Sequence, residues 1–172
     1  MSELFGDLAR APEPARLTRG LWARRAFMTL FALYALLALL DRFGQTTSTS
    51  TSAVPAAKVS VDAPDTVRGG LFFQSRIDIR ALRDIQHPRL VLARGWFEGM
   101  QVNSIDPQPV GEAPRDGRVV LSYDTLKAGD RMTVWLQFEV DPTSFGHRDY
   151  GIELDDAEQP IARIDRDLTV LP

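Results

Sequence analysis

Three groups of residues in this 172-residue sequence have side chains that can carry chemistry. Ser144, His147 and Asp149 offer a nucleophile, a base and an orienting acid, the set that activates a hydroxyl for acyl transfer. They sit in one short stretch without the glycine-flanked turn that holds such a serine exposed, so no catalytic residue is expected. His87 and His147, joined by a carboxylate, would make three donors for a divalent metal. They stand 60 positions apart in loops beside Pro88 and Gly146, and ordinary loop histidines are the plainer reading. Asp155, Asp156 and Glu158, with Asp149 or Glu153, supply oxygens of the kind calcium prefers. The EF-hand spacing and its glycine are absent, and acids in a strand connection are ordinarily solvated. Neither a metal nor a cofactor is expected.

Large apolar groups are more informative. Gly95 and Gly99 bracket Trp96 and Phe97, with Met100 next in the chain. Two readings stay open for this bend: it presents residue types enriched at protein interfaces, or Trp96 or Phe97 plugs the end of the fold. Trp135 poses the same question from the polar side of its strand. The expected partner-binding residues are Trp96, Phe97, Met100 and Trp135.

The elements that hold these residues are strands. Phe73, Ser75, Ile77, Ile79 and Ala81 alternate with Gln74, Arg76, Asp78 and Arg80, a period of two that a helix cannot place on opposite faces. Met132, Val134, Leu136, Phe138 and Val140 alternate in the same way with Thr133, Trp135, Gln137 and Glu139 and mark the centre of the core. Residues 89–93, a stretch from Met100 to Ile105, residues 119–123, a strand with Ile152 and Leu154, and residues 161–171 supply the rest. His87-Pro88, Asp106-Pro107, Asp116-Gly117 and Gly129-Asp130 break them apart. Seven or eight short strands over residues 68–172 predict an all-β, Ig-like antiparallel sandwich.

Residues 73–79, Leu90-Val91-Leu92 leading to Gly95, Met100-Gln101-Val102, and above all Leu126-Lys127-Ala128-Gly129-Asp130 before the Met132 strand resemble the DUF11-type repeat of bacterial surface proteins. The likeness covers roughly 70 to 110 residues by the length of an Ig-like module, and departs from the family where residues 82–88 follow the first long strand. It implies a surface, structural or adhesive role and brings no catalytic residue with it.

Before the strands lies an uncharged run, residues 26–40. Those residues alone make a helix of about 22 Å, but Leu21, Trp22, Ala23 and Phe43 extend it to about 34 Å, enough to span a bilayer. Arg24 and Arg25 can run their stems along lipid, and the aromatic ends suit the two interfaces. Residues 41–45 lack a small-x-small cleavage site, so retention as a membrane anchor over residues 21–43 is expected rather than removal as a signal peptide or burial in a soluble core. Arg10, Arg16, Arg19, Arg24 and Arg25 precede the run and Arg42 alone follows it closely, which leaves the tail, residues 1–20, in the cytoplasm. A short helix within residues 2–11 is one reading of that tail; a frayed segment is the other. Residues 44–67, with an unbroken Ser/Thr tract at 46–52 and two prolines, read as a flexible linker open to O-linked sugar, although alternation at residues 58–61 suggests an early edge strand.

Charge and cysteine content narrow the function. Residues 68–172 carry 13 basic against 17 acidic side chains, a poor match to nucleic acid, which needs clustered cations. With no cysteine the domain has neither disulfides nor a thiolate site. The expectation is a single-pass membrane protein, not an enzyme. It touches lipid through its anchor and carries a small extracytoplasmic domain that binds or braces another membrane or envelope protein. A module reading cell-envelope glycan or peptidoglycan is the alternative.

Overall fold

The computed structural model describes residues 14–39 and 46–172. The chain divides into two compact units, Met1–Gly44 and Gln45–Pro172. In the first, helix α1 runs Pro14–Leu39. Pro14 suits its opening turn, where a backbone N–H has no intrahelical partner. Within α1, Gly20–Leu39 has a mean hydropathy of 1.3 and no buried residue. At 1.5 Å per residue this segment is about 30 Å long, the thickness of a hydrocarbon core. Trp22, Phe27, Leu30, Phe31, Leu33 and Leu36 are exposed around its whole circumference, unlike the single apolar stripe of a helix packed on a core. Length and composition fit a membrane span and a signal sequence alike. The expected end of the span, residues 40–43, and the short helix read within residues 2–11 lie outside the described residues.

The second unit is an all-β sandwich of two sheets. One sheet contains β1 (Thr46–Ala53), β2 (Ala57–Arg68), β3 (Phe72–Ala81), β5 (Met100–Asp106), β8 (Arg131–Val140), β9 (Gly146–Asp149) and β12 (Asp167–Leu171). Its order is β5-β8-β3-β2-β12-β9, with β1 paired to β2. The other sheet contains β4 (Pro88–Leu92), β6 (Gly111–Arg115), β7 (Arg118–Ser122), β10 (Ile152–Asp156) and β11 (Gln159–Ile164), in the order β11-β10-β4-β7-β6. Pairing is antiparallel except between β12 and β2, which run parallel over Thr169↔Thr66 to Leu171↔Arg68.

The alternation read in β3 and β8 sets the core. Ile77, Ile79, Val134, Leu136 and Phe138 are buried on one sheet and meet Leu90, Leu92, Leu121 and Leu154 of the other. Burying each such side chain stabilises the fold by about 1.5–3 kcal/mol. Between β7 and β8 the Lys127 and Asp130 backbones close a turn: Asp130 N–H donates to the Lys127 carbonyl at 2.9 Å, and the Asp130 carboxylate accepts from Lys127 N–H at 2.9 Å. Gly129 takes φ +97° there, a conformation that favours glycine.

Two expectations need correction. Residues 46–67 are not a flexible spacer, since β1 and β2 pair along almost their whole length, from Thr46↔Thr66 to Ala53↔Lys58. From Thr47 to Ser52 Thr and Ser alternate strictly, so that Ser48, Ser50 and Ser52 turn inward and Thr47, Thr49 and Thr51 outward. Threonine is β-branched and favours a strand, while the hydroxyls supply cross-strand bonds such as Ser48 Oγ to Asp65 at 2.8 Å. The sandwich therefore begins at Thr46 and not at residue 68. Ten strands, β3–β12, follow where seven or eight were expected. The extra ones, such as β6 (GEAPR) and β9 (GHRD), have no apolar alternation to announce them.

Candidate functional site

Trp96 is fully buried, so it is a core residue and not a partner contact. It lies on a short 3-10 turn, Arg94–Trp96, and Gly95 lets that turn press against β9, where an added Cβ would stand 2.1 Å from the Asp149 carbonyl oxygen. The indole stacks on Tyr150 with centroids 3.6 Å apart and planes 16° apart. Its Nε1–H is shared between the carbonyls of Tyr150 and Gly151, both at 3.1 Å, which removes the cost of burying an indole donor. Phe97 is half-buried and meets Phe138 edge-on at 6.1 Å. Met100, also half-buried against the core, borders a shallow hollow of about 390 Å³ with Gln101, Glu139 and Pro142.

Trp135 is on a different face. It points outward from β8, and the register sets it in a row across five strands: Thr49 of β1 beside Asp62 of β2, Arg76 of β3, Trp135, then Asp106 of β5. The Arg76 guanidinium lies 5.5 Å from the Trp135 ring centroid, a cation–π arrangement. It also forms ion pairs with Asp62 on one side and, at 3.0 Å, with Asp78 on the other. Asp78 accepts a 2.7 Å bond from Thr133. The Thr49 hydroxyl and the Arg76 guanidinium, acting against partial burial, hold the Asp62 carboxyl below the ordinary carboxylate range. With Arg76 42% exposed, solvent screens these pairs; they orient the guanidinium more than they stabilise the fold. The face thus offers a planar cation and an aromatic ring already held in place, with Thr47, Gln74 and Asp62 around a hollow of about 260 Å³.

The other groups with chemical potential are engaged separately. Ser144 Oγ accepts from Arg148, His147 Nδ1 bonds Thr169 Oγ1 at 2.9 Å, and the Asp149 carboxylate accepts from Gly151 N–H at 3.0 Å, so the three do not form a relay. Asp155, expected to be solvated in a strand connection, is instead buried and bonds Arg115 at 2.9 Å, while Asp156 accepts the backbone N–H of His87. Among the described residues no group of three His, Asp or Glu side chains is placed to hold a metal. Arg76 and Asp62 escaped the sequence reading. Their signal was there in the outward positions of alternating strands, but only the register shows that both fall in the row of Trp135.

No family matches the sequence, and no curated protein matches it. Among solved structures, a non-cellulosomal cohesin from the hyperthermophilic archaeon Archaeoglobus fulgidus is similar in chain path at 14% identity and a TM-score of 0.41, over 73% of this chain and 92% of that one. A GH20 exo-β-N-acetylglucosaminidase from Vibrio harveyi is similar at 12% identity and a TM-score of 0.32, over 73% of this chain and 18% of that one. This chain therefore spans under a fifth of the glucosaminidase, and neither likeness is strong enough to carry a function.

Proposed function

We propose that this chain is a single-pass membrane protein whose sandwich lies outside the cytoplasm and binds another membrane or envelope protein through the outer face of its seven-stranded sheet. The observation that carries the reading is the Arg76–Trp135 pair, fixed between Asp62 and Asp78 on a surface of five aligned strands. Trp and Arg are the residue types that dominate binding energy at protein interfaces, and side chains ordered beforehand lose less freedom on docking. The exposed apolar helix supports the anchor, and Arg24 and Arg25 near its amino end support a cytoplasmic tail. The Gly129 turn before β8 supports a DUF11-type relationship for the domain. No reaction is assigned to it.

A glycan reader would use the open face of Trp135 for stacking against a sugar ring. The guanidinium of Arg76 lies over that ring, which favours the protein-binding reading. The test is affinity purification of the full chain from native membranes in mild detergent, beside sedimentation with purified cell wall. A membrane protein should stay attached to the wild type and be lost from Trp135→Ala and Arg76→Ala. Recovery of the wild type alone and monodisperse, retention of the partner by both variants, or sedimentation with cell wall in its place would overturn the reading.

A further inference from the structure

Six large apolar side chains of the sandwich are well exposed among the described residues, and four of them, Leu71, Phe72, Phe145 and Leu171, belong to one end of it. Three chain segments meet there. The β2–β3 turn bonds the end of β12 through Gly69 N–H and the Leu171 carbonyl at 3.0 Å, and bonds β8 through Gly70 N–H and the Val140 carbonyl at 2.9 Å. Pro142 lies against Gly69 and Gly70. Phe145 precedes Gly146, which pairs with Val170 next to Leu171. Phe72 and Phe145 are 65% and 74% exposed, unusual for phenylalanine in a folded domain.

The same end receives the chain from α1. Thr46, the first residue of β1, registers with Thr66, and Thr66 also registers with Thr169 of β12. From Thr66 it is two residues along β2, about 7 Å, to Arg68 at the turn. Only residues 40–45 separate Thr46 from Leu39 at the close of the apolar helix.

We infer that this end of the sandwich is a lipid-contacting rim, with Leu71, Phe72, Phe145 and Leu171 inserted at the interface of the bilayer that holds α1. The inference rests on the anchored reading above. Aromatic and aliphatic side chains are the groups that enter such an interface. The charges nearby are mixed: Arg68, Glu139 and Asp141, whose carboxylate is engaged by the Thr143 N–H at 2.9 Å and the Thr143 hydroxyl at 2.7 Å. The contact is therefore apolar in origin, needs no anionic lipid and resists salt.

The chain has no cysteine, so single labels can be placed cleanly. Full-length Leu71→Cys and Leu171→Cys report on the rim. Lys127→Cys reports on the opposite end, because the Gly129 turn bonds Ala81, the far residue of β3 from Phe72. Each variant carries a nitroxide and is reconstituted in phosphatidylcholine vesicles. Flotation after a carbonate wash tests anchoring first; a chain that fails to float removes the anchored reading and this inference with it. In chains that float, the ratio of oxygen to nickel-chelate accessibility should be several-fold higher at the rim labels than at Lys127→Cys, unchanged in molar salt, and lowered toward the Lys127→Cys value by adding Phe72→Ser and Phe145→Ser. Equal ratios at both ends would overturn the rim alone. Rim labels shielded from both reagents would also overturn it, showing a second copy as the occupant.

Discussion

The guanidinium of Arg166 stands 2.7 Å from the Asp65 carboxylate and, across 118 residues of chain, 3.1 Å from the Ser48 carbonyl. Its side chain is only 3% exposed. It also donates to Ser50 Oγ at 2.8 Å, Ser48 Oγ at 3.0 Å and the Ala63 carbonyl at 2.9 Å, closing β1 onto β2 from the β11–β12 connection. The four N–H donors on the two terminal nitrogens of one planar group suit a cluster of carbonyl and hydroxyl acceptors that no aliphatic residue could satisfy. Arg166→Met should cost about 2–4 kcal/mol, less than a fully buried pair would, since Asp65 is partly solvated and can keep its charge. Hydrogen exchange should locate the loss in β1. Unchanged protection across Thr46–Ala53 would remove Arg166 from this role.

The distance in sequence between Arg166 and β1 explains why β1 looks like a linker from its own residues. Its composition is polar and its residues bury little, so nothing local tells a strand from a spacer; the stabilising partner is supplied more than a hundred positions later. The strict Thr/Ser alternation was a usable signal, because the branched residues fall on the outer face. By contrast β3 and β8 were legible from their own residues, as apolar and polar positions alternate over ten residues in each. The fate of Trp96 was not, for it depends on Tyr150 and on carbonyls over fifty positions away. Trp135 was legible as outward-facing, yet its pairing with Arg76 came only with the register.

Asp155 and Arg115 form a pair whose worth should depend on pH. Burial pushes the Asp155 carboxyl above the ordinary carboxylate range, while the Arg115 bond pulls against it. An acid raised in the folded state contributes most stability below its unfolded pKa and loses it as pH rises through the folded value. Arg115→Met removes the pull, raises the carboxyl further and leaves a buried charge uncompensated, at a cost of about 3 kcal/mol near neutral pH. Urea denaturation should show that deficit shrink as pH falls through the raised titration of this carboxyl, before ordinary surface carboxylates protonate. A deficit independent of pH would mean that Arg115 acts by packing alone.

The two tryptophans of the sandwich should differ severalfold in what their truncation costs. Trp96→Ala opens a cavity between Tyr150 and Phe138 and takes the indole donor from the Tyr150 carbonyl, while the Gly151 carbonyl keeps the Ala93 N–H, costing about 3–5 kcal/mol. Trp135→Ala loses an exposed cross-strand contact with Arg76 and should cost about 1 kcal/mol. Denaturation midpoints of the full chain in detergent micelles check both values. Equal losses would place Trp135 within the core network rather than on a binding face.

Gly95 tests the packing that hides Trp96. A methyl group there would meet the Asp149 carbonyl oxygen at 2.1 Å and the Arg148 Cβ at 2.9 Å, and the first of these is backbone. Either the 3-10 turn or β9 must move, and the Trp96–Tyr150 stack lies between them. Gly95→Ala should cost about 1–3 kcal/mol as overpacking and weaken the near-ultraviolet dichroism of the stacked rings. Gly117→Ala is the comparison: its added Cβ meets nothing within 4 Å, and the strain comes only from φ +75°. That strain should cost about 1 kcal/mol and leave the aromatic signal intact. If Gly95→Ala matched Gly117→Ala in both midpoint and dichroism, the close approach of the turn to β9 would not be what seats Trp96.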